Sequence, residues 1–413
     1  MRILFITHYF HPEGNAPATR IHQLTRRWAR AGHDITVITA VPNVPSGIVY
    51  EGYRNRWRQN EQVEGVDVVR VWTYLAANAG TVRRILSYLS FMFTSAVAGL
   101  RAPRPDIVIA TSPQFFCGWA GRIVARLRRL PFVLEVRDLW PDSIVAVGAM
   151  RSSPLLRILG WLERRLYDGA AIIVTVGPGY ARKLLERGVD KDRIRIVPNG
   201  VDLNAFAPGV DGSRLRAEFG LEDRFVCAFA GTIGMASGLD VIVRAAELLH
   251  RRSRDDIRIA LIGDGAQKSR LQQAAAEAGL SSVVFTGRLA KDRMPEAIAA
   301  ADVCLVHLKR AELFKTVLPS KIFEAAAMRR PIILGVEGAA ADWLEAAQAG
   351  IAIEPENEEA LVDAVLRLAA EPSLRSRLGS NGRSFVEQHH DYELLAAQYL
   401  DILSQLADGR QAR

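Results

Sequence analysis

The stretch Leu318-Pro319-Ser320-Lys321-Ile322-Phe323-Glu324 places a proline, a hydroxyl, an ammonium and a carboxylate at the spacing of a helix start. Proline suits the first turn, and Ser320 is expected to cap free backbone N–H groups. Those N–H groups, with the Lys321 charge, attract an anion such as a diphosphate. Glu324 lies one turn beyond Ser320 on the same face, where a carboxylate accepts hydrogen bonds from both hydroxyls of a ribose. The plainer reading of these residues is a capped helix with two solvated charges. Two glycine turns change the balance. Gly231-Thr232-Ile233-Gly234 and Gly263-Asp264-Gly265 each follow an apolar run, and glycine at a strand end lets backbone approach a phosphate or a base. Together the three features make a constellation shaped for a nucleotide.

In the first half, His11-Pro12-Glu13-Gly14-Asn15-Ala16-Pro17 stands between a strand-like run and a helix-like one. It lacks the GxGxxG spacing of a dinucleotide site, which argues against a dehydrogenase. His8 and His11 read as ligands or bases, or as structural histidines at a strand end and a turn. Two further apolar runs end in polar tips, Thr111-Ser112 and Arg137-Asp138. Cys117, Cys227 and Cys304 are far apart with no CxxC spacing, the usage of buried thiols in a reducing cytoplasm.

Elements must bring these residues together. The chain alternates short apolar runs with amphipathic stretches, the pattern of an α/β fold with parallel sheets. Strands are expected at Ile3–Thr7, Asp34–Thr39, Val66–Trp72, Ile107–Thr111 and Phe132–Val136, with a helix over Pro17–Ala31 that aligns Ile21, Leu24 and Trp28. The grammar restarts with Ile194–Val197, then Phe225–Ala230, Ile257–Ile262, Val283–Thr286, Val303–His307 and Ile332–Leu334. The expected domains are 1–200 and 201–390, with a helix in 391–413 that packs back on the first. In open parallel sheets ligands bind beyond the carboxyl ends of the strands, so the tips matter most.

The net charge of +8 over 413 residues hides an asymmetry: residues 1–200 carry +13 and the remainder −5. A basic half suggests an anionic surface or acceptor as its partner. Nucleic acid is excluded as that partner, because the basic residues are scattered and no zinc, RRM-like or helix-turn-helix signature accompanies them. Residues Ile85–Leu100 are apolar and flanked by Arg83, Arg84, Arg101 and Arg104. They are too few to span a bilayer, which takes roughly 20. They fit a buried helix or one lying in a membrane interface with basic flanks. The N-terminal apolar run is too short for a signal peptide.

Taken together, Gly14, Glu135-Val136-Arg137-Asp138-Leu139-Trp140-Pro141, Val197-Pro198-Asn199-Gly200-Val201-Asp202, Leu261-Ile262-Gly263-Asp264-Gly265 and Pro319-Ser320-Lys321-Ile322-Phe323-Glu324 resemble the retaining GT-B glycosyltransferases of family four, over almost the whole chain. Within them the sequence looks like the branch that builds surface polysaccharides such as O-antigen, including the L-fucosamine transferases. The resemblance implies two Rossmann-like β/α/β domains facing each other across a cleft. It implies a nucleotide diphosphate sugar, a UDP-sugar, held mainly by the C-terminal domain and moved to a polyprenyl-diphosphate-linked or other glycan acceptor. Glu324 would bind the ribose and Ser320 with Lys321 the diphosphate. Gly231, Gly234, Gly263, Gly265, Arg288, Asn199 and Lys315 would complete the donor site. Gly14, Asn15 and His11 would face the acceptor, and Asp138 with Arg137 would act at the reacting carbon. No metal or other cofactor is implied, and the expected place of work is cytoplasmic, peripheral on the inner face of the plasma membrane.

The sequence departs from that family at three places. Thr316 stands where many relatives carry the first of two acidic residues. The loop Thr232–Ser237 lacks their Arg and Lys, leaving Lys315, Lys321 or Arg288 to supply the charge. Arg137-Asp138 stands where many place a histidine. A UDP-sugar 2-epimerase of similar fold and a non-catalytic, membrane-recruited protein are the alternatives.

Overall fold

The computed structural model describes residues 1–44, 47–75, 81–112, 114–139 and 154–411. The chain forms two compact units, Met1–Asn199 with Tyr392–Arg413, and Gly200–Asp391.

The first unit is built on an eight-stranded sheet: β1 (Arg2–Ile6), β2 (Asp34–Ala40), β3 (Arg58–Val63), β4 (Val66–Val71), β5 (Ile107–Thr111), β6 (Phe132–Val136), β7 (Ile172–Thr175) and β8 (Ile194–Ile196). The order is β3-β4-β2-β1-β5-β6-β7-β8, parallel except where β3 pairs antiparallel with β4. β5 and β6 are buried along their whole length, as befits strands covered on both faces and written as unbroken apolar runs. β8, read as the opening of the second half, is instead the edge strand of this sheet, paired with β7.

Helix α1 (Ala16–Arg30) buries Ile21, Leu24 and Trp28 as its spacing requires. Trp28 donates through Nε1 to the Ala396 carbonyl at 3.0 Å and meets Tyr399 edge-on at 5.2 Å. The C-terminal helix Tyr392–Gln411 is therefore part of the first unit. Helix α2 (Thr81–Arg101) packs on helix α3 (Phe115–Arg128), which also packs on the 154–168 helix.

The second unit has a six-stranded, wholly parallel sheet: β9 (Phe225–Ala230), β10 (Ile257–Ile262), β11 (Val283–Gly287), β12 (Val303–His307), β13 (Ile332–Gly335) and β14 (Gly350–Ala352), in the order β11-β10-β9-β12-β13-β14. Successive connections run outward in opposite directions from β9 and β12. That reversal leaves a crevice at the carboxyl ends of these two strands, where open α/β sheets bind ligands.

Candidate functional site

The crevice of the second unit is lined by the two glycine turns. The Ile233 N–H donates to the Asp264 carbonyl at 2.9 Å, the Gln267 N–H to Ile233 at 3.0 Å, and the Gly263 N–H to Gly287 at 3.0 Å. These bonds draw the tips of β9, β10 and β11 together so closely that side chains do not fit. A Cβ on Gly263 would fall inside the Gly231 carbonyl oxygen, and one on Gly265 inside the Ile233 carbonyl oxygen. Both residues sit at positive φ, +144° and +157°. Gly234 differs: its φ is −112° and a Cβ there meets only a Thr232 methyl at 3.6 Å.

Lys321 comes up against this turn. Its Nζ lies 3.8 Å from the Phe229 ring centroid and 2.7 Å from the place a Gly231 Cβ would occupy. An aromatic face attracts the cation without neutralising it, so the ammonium is held at the turn ready for an anion. Burial pushes Lys321 down to about 8, with Glu324 pulling the other way. The same burial pushes Glu324 up to about 7, against Lys321 and Lys291. Both groups are half-buried. An ammonium and a carboxylate held in a crevice that disfavours their charges mark a binding site better than a solvated pair would.

Ser320 does not cap. Its backbone is already helical at φ −60° and ψ −24°, and its side chain makes no capping bond to the seven-residue 321–327 helix. A cap needs an extended residue, and Ser320 has been drawn into the first turn instead. Lys315 is engaged elsewhere, 2.6 Å from Glu312 and 3.6 Å from Glu337. Arg288 is exposed just after β11. Asn199 is the last residue of the Met1–Asn199 segment of the first unit.

A residue that sequence reasoning missed fixes the crevice wall. His307, the last residue of β12, is fully buried. Its Nδ1 lies 2.7 Å from the Ser237 carbonyl, and its Nε2 lies 2.9 Å from the Glu356 N–H. A carbonyl only accepts and a backbone N–H only donates, so the ring is neutral with its proton on Nδ1. Burial likewise lowers its pKa. A Cβ on Gly335 would strike this ring. His307 thus ties the glycine turn of β9 to the loop after β14.

In the first unit, the tip of β6 carries Arg137 and Asp138. Arg137 is buried, its N–H donates to Ser112 Oγ at 3.1 Å, and its Nε lies 4.0 Å from Glu135 Oε1. That oxygen belongs more closely to Arg20, whose Nε is 3.3 Å away. Arg20 also donates to the carbonyls of Pro198 and Val197, at 2.5 and 2.8 Å. Asp138 Oδ1 accepts from the Leu139 N–H at 2.9 Å. The Tyr180 phenol senses both Asp138 and Arg137 and is pushed up to about 12, mainly by burial. Among the acceptor-side residues, Gly14 is exposed with open space where a Cβ would stand. Asn15 Oδ1 caps α1, accepting from the Ala18 N–H at 2.9 Å. His11 lies with its ring 4.5 Å from that of His22, and its carbonyl accepts from Arg70. His8 is buried against Tyr9, Tyr88 and Phe91, and burial lowers it to about 4.

Residues 15–200 match the glycosyl transferase 4-like domain, and residues 213–385 match glycosyl transferases group 1. A Mycolicibacterium smegmatis protein named as a GDP-mannose-dependent alpha-(1-6)-phosphatidylinositol monomannoside mannosyltransferase is 30% identical over 70% of this chain and 82% of its own. The chain is a family-four GT-B glycosyltransferase. An Escherichia coli K12 protein named for colanic acid biosynthesis, the glycosyl transferase WcaI, is 27% identical to this glycosyltransferase over 97% of the chain and 99% of its own. The fold is shared with sucrose-phosphate synthase from Thermosynechococcus elongatus (TM-score 0.76, 19% identity, 99% of each chain). It is shared also with Anabaena HepE in complex with UDP-glucose (TM-score 0.72, 17% identity, 98% of this chain and 100% of that one).

Family membership removes the epimerase and non-catalytic readings. It also sharpens the departures. Of the three basic residues offered to replace the charges missing from the 232–237 loop of this glycosyltransferase, Lys321 alone reaches Gly231. Lys309 donates its N–H to the Ala236 carbonyl at 2.9 Å and keeps an exposed side chain beside the same loop. Lys291 acts on Glu324. Neither carries a motif, and only the fold brings them near.

Proposed function

We propose that this glycosyltransferase takes its sugar from a UDP-sugar, without a metal ion and with retention of configuration. The acceptor is a lipid-diphosphate-linked or other glycan used in surface polysaccharide synthesis. The observation that carries the donor reading is the Lys321–Glu324 pair against the Gly231 and Gly263 turns. Lys321 and the backbone at Gly231 would meet the diphosphate, and Glu324 the ribose hydroxyls. The colanic acid relative supports the polysaccharide assignment, and the solved HepE complexes with UDP and UDP-glucose support the donor class. A GDP-sugar is the second reading, favoured by the GDP-mannose-dependent relative.

The chemistry proposed is a front-face displacement in which the leaving phosphate accepts the proton of the acceptor hydroxyl, so no protein nucleophile is required. Asp138 orients that hydroxyl or stabilises positive charge developing at the sugar. Fixed dipoles and cations aimed at the leaving diphosphate supply the main stabilisation.

Titration calorimetry with UDP-sugar and GDP-sugar, with chelator present, tests this. Donor affinity is expected to peak between pH 7 and 8. Below about 7 Glu324 takes up a proton and ceases to accept from both hydroxyls, and above about 8 Lys321 loses its charge. Each limb falls by about tenfold per pH unit, the slope of a single proton. Glu324→Gln should flatten the acid limb, and Asp138→Asn should keep donor affinity while losing turnover. An acid limb that survives Glu324→Gln removes Glu324 from the ribose, and wild-type turnover in Asp138→Asn removes Asp138 from the reaction.

We further propose that the first unit rests on an anionic membrane. Helix α2 buries Phe91, Thr94 and Ser95 but exposes Ile85, Leu86, Leu89, Phe93 (61% exposed) and Leu100. The 154–168 helix exposes Ile158 and Trp161 (56%), with Arg165 stacked 5.2 Å over the Trp161 ring. Arg83, Arg84, Arg101, Arg104, Arg157 and Arg164, close to these apolar residues in sequence, are exposed. Among the described residues no helix is long and apolar enough to cross a membrane, and an apolar stripe with arginine flanks fits one lying in the interface. At about 1 kcal/mol per arginine near an anionic surface, Arg83→Gln with Arg84→Gln should weaken binding to phosphatidylglycerol vesicles by roughly 30-fold. Phe93→Asp should do at least as much. Unchanged cosedimentation of both variants would remove the membrane face.

A further inference from the structure

Among the described residues, the tip of β6 keeps a guanidinium whose hydrogen bonds are largely unmade. Arg20 and Arg137 share one buried carboxylate, Glu135, and Arg20 holds the nearer contact. The Arg137 side chain is 7% exposed, yet among the described residues its Nε and Nη1 find no hydrogen-bond acceptor. The Thr175 hydroxyl at the end of β7 is likewise buried with no hydrogen-bond partner among the described residues. Polar groups so placed are uncommon, because each buried donor left unmade costs about 1–3 kcal/mol.

A second feature converges on the same place. The 178–186 helix begins two residues after β7, with Gly177 as its N-cap and no side chain capping it. Pro178 contributes no N–H, so the Gly179 and Tyr180 N–H groups head the helix, where the backbone is partially positive. A Cβ on Gly177 would meet nothing within 4 Å, so space opens at this terminus. Tyr180, in the first turn, has its phenol within electrostatic reach of Arg137 and Asp138. That phenol stays protonated at neutral pH and is a donor. The nearby carboxylate, Asp138, already accepts from the Leu139 N–H.

We propose that Arg137, the Tyr180 hydroxyl and the head of the 178–186 helix form a phosphoryl-binding site in the first unit, which takes the phosphate or diphosphate carried by the acceptor. The inference deepens the reading of a phosphate-bearing acceptor and rests on it. It assigns Arg137 to substrate anchoring and leaves Asp138 to the reacting hydroxyl. An anion here would accept from the planar guanidinium fork that Arg137 leaves unpartnered among the described residues.

The full-length protein, saturated with UDP to fill the donor crevice, is titrated with inorganic pyrophosphate and with geranyl diphosphate at constant ionic strength. One equivalent of each is expected to bind, with affinity falling at least tenfold in Arg137→Gln and severalfold in Tyr180→Phe, while UDP affinity is unchanged in both. Arg137→Lys, which keeps the charge but not the fork, should fall between wild type and Arg137→Gln and carries the test if the glutamine variant does not fold. Pyrophosphate that does not bind the UDP-saturated protein, or binds wild type and Arg137→Gln alike, overturns the site. So does an Arg137→Gln variant that loses UDP and keeps pyrophosphate. Should UDP itself not bind, the donor reading fails separately, and the same pyrophosphate titration on Lys321→Ala protein still decides the site.

Discussion

Gly263→Ala is expected to lower donor affinity by more than 100-fold while leaving the first unit folded. The added methyl would lie inside the Gly231 carbonyl oxygen, a backbone atom that no rotamer change removes. The residue also sits at φ +144°, a conformation that costs an L-residue about 1–3 kcal/mol. Relief requires the tips of β9 and β10 to part, and with them go the Gly263-to-Gly287 and Ile233-to-Asp264 bonds that hold the turns under Lys321. Gly234→Ala is the control. It has an ordinary φ and a methyl-sized space, so its donor affinity should stay within threefold of wild type. Calorimetry with UDP-sugar reads both, and a Gly263→Ala protein that binds donor as wild type does would show that the turns are not the phosphate wall.

Glu135→Gln should be the most damaging isosteric change in the first unit. It leaves two guanidinium groups buried around a neutral amide, and removing one partner of a buried ion pair costs about 3–5 kcal/mol. In a domain of this size the melting temperature should fall by roughly 10 °C. The Tyr399 phenol of the C-terminal helix is kept protonated by its burial and, next, by the Glu135 charge, so the change reaches that helix as well. Because the excess is of positive charge, Arg137→Gln in the Glu135→Gln background should recover part of the loss. Differential scanning calorimetry decides: a shift below about 2 °C in Glu135→Gln would mean that the carboxylate does not balance the two arginines.

The strands were legible wherever burial on both faces wrote them as apolar runs. Phe132–Val136, Phe225–Ala230, Ile257–Ile262 and Val303–His307 have the same bounds in sequence and structure. β3 was not legible, because Arg58–Val63 is a polar edge strand. Its one signal is the two-residue turn Glu64-Gly65, both at positive φ, which joins it to β4 as a tight hairpin. In the candidate site, Lys321, Glu324 and the glycines were readable because each motif is local. Ser320 misled, since capping depends on backbone angles that residue type does not dictate. His307, Lys291 and Lys309 come from other strands and loops, and only the sheet order brings them to the crevice. Arg20 reads as a surface charge on α1 and is fully buried; its partners Glu135, Val197 and Pro198 lie more than 100 residues away.

The helix that covers Trp28 also sets an order of events during synthesis. Gly200–Asp391 is one uninterrupted stretch and can fold as soon as it clears the ribosome. Met1–Asn199 emerges earlier, yet the surface of α1 that receives Tyr399 and the Ala396 carbonyl stays uncovered until Tyr392–Gln411 is made. Of the two units, the one whose translation begins first is therefore completed second. In the interval a nascent chain shows the Trp28 indole to whatever binds such surfaces, and a truncation within the Tyr392–Gln411 helix would spoil the unit farthest from it in sequence.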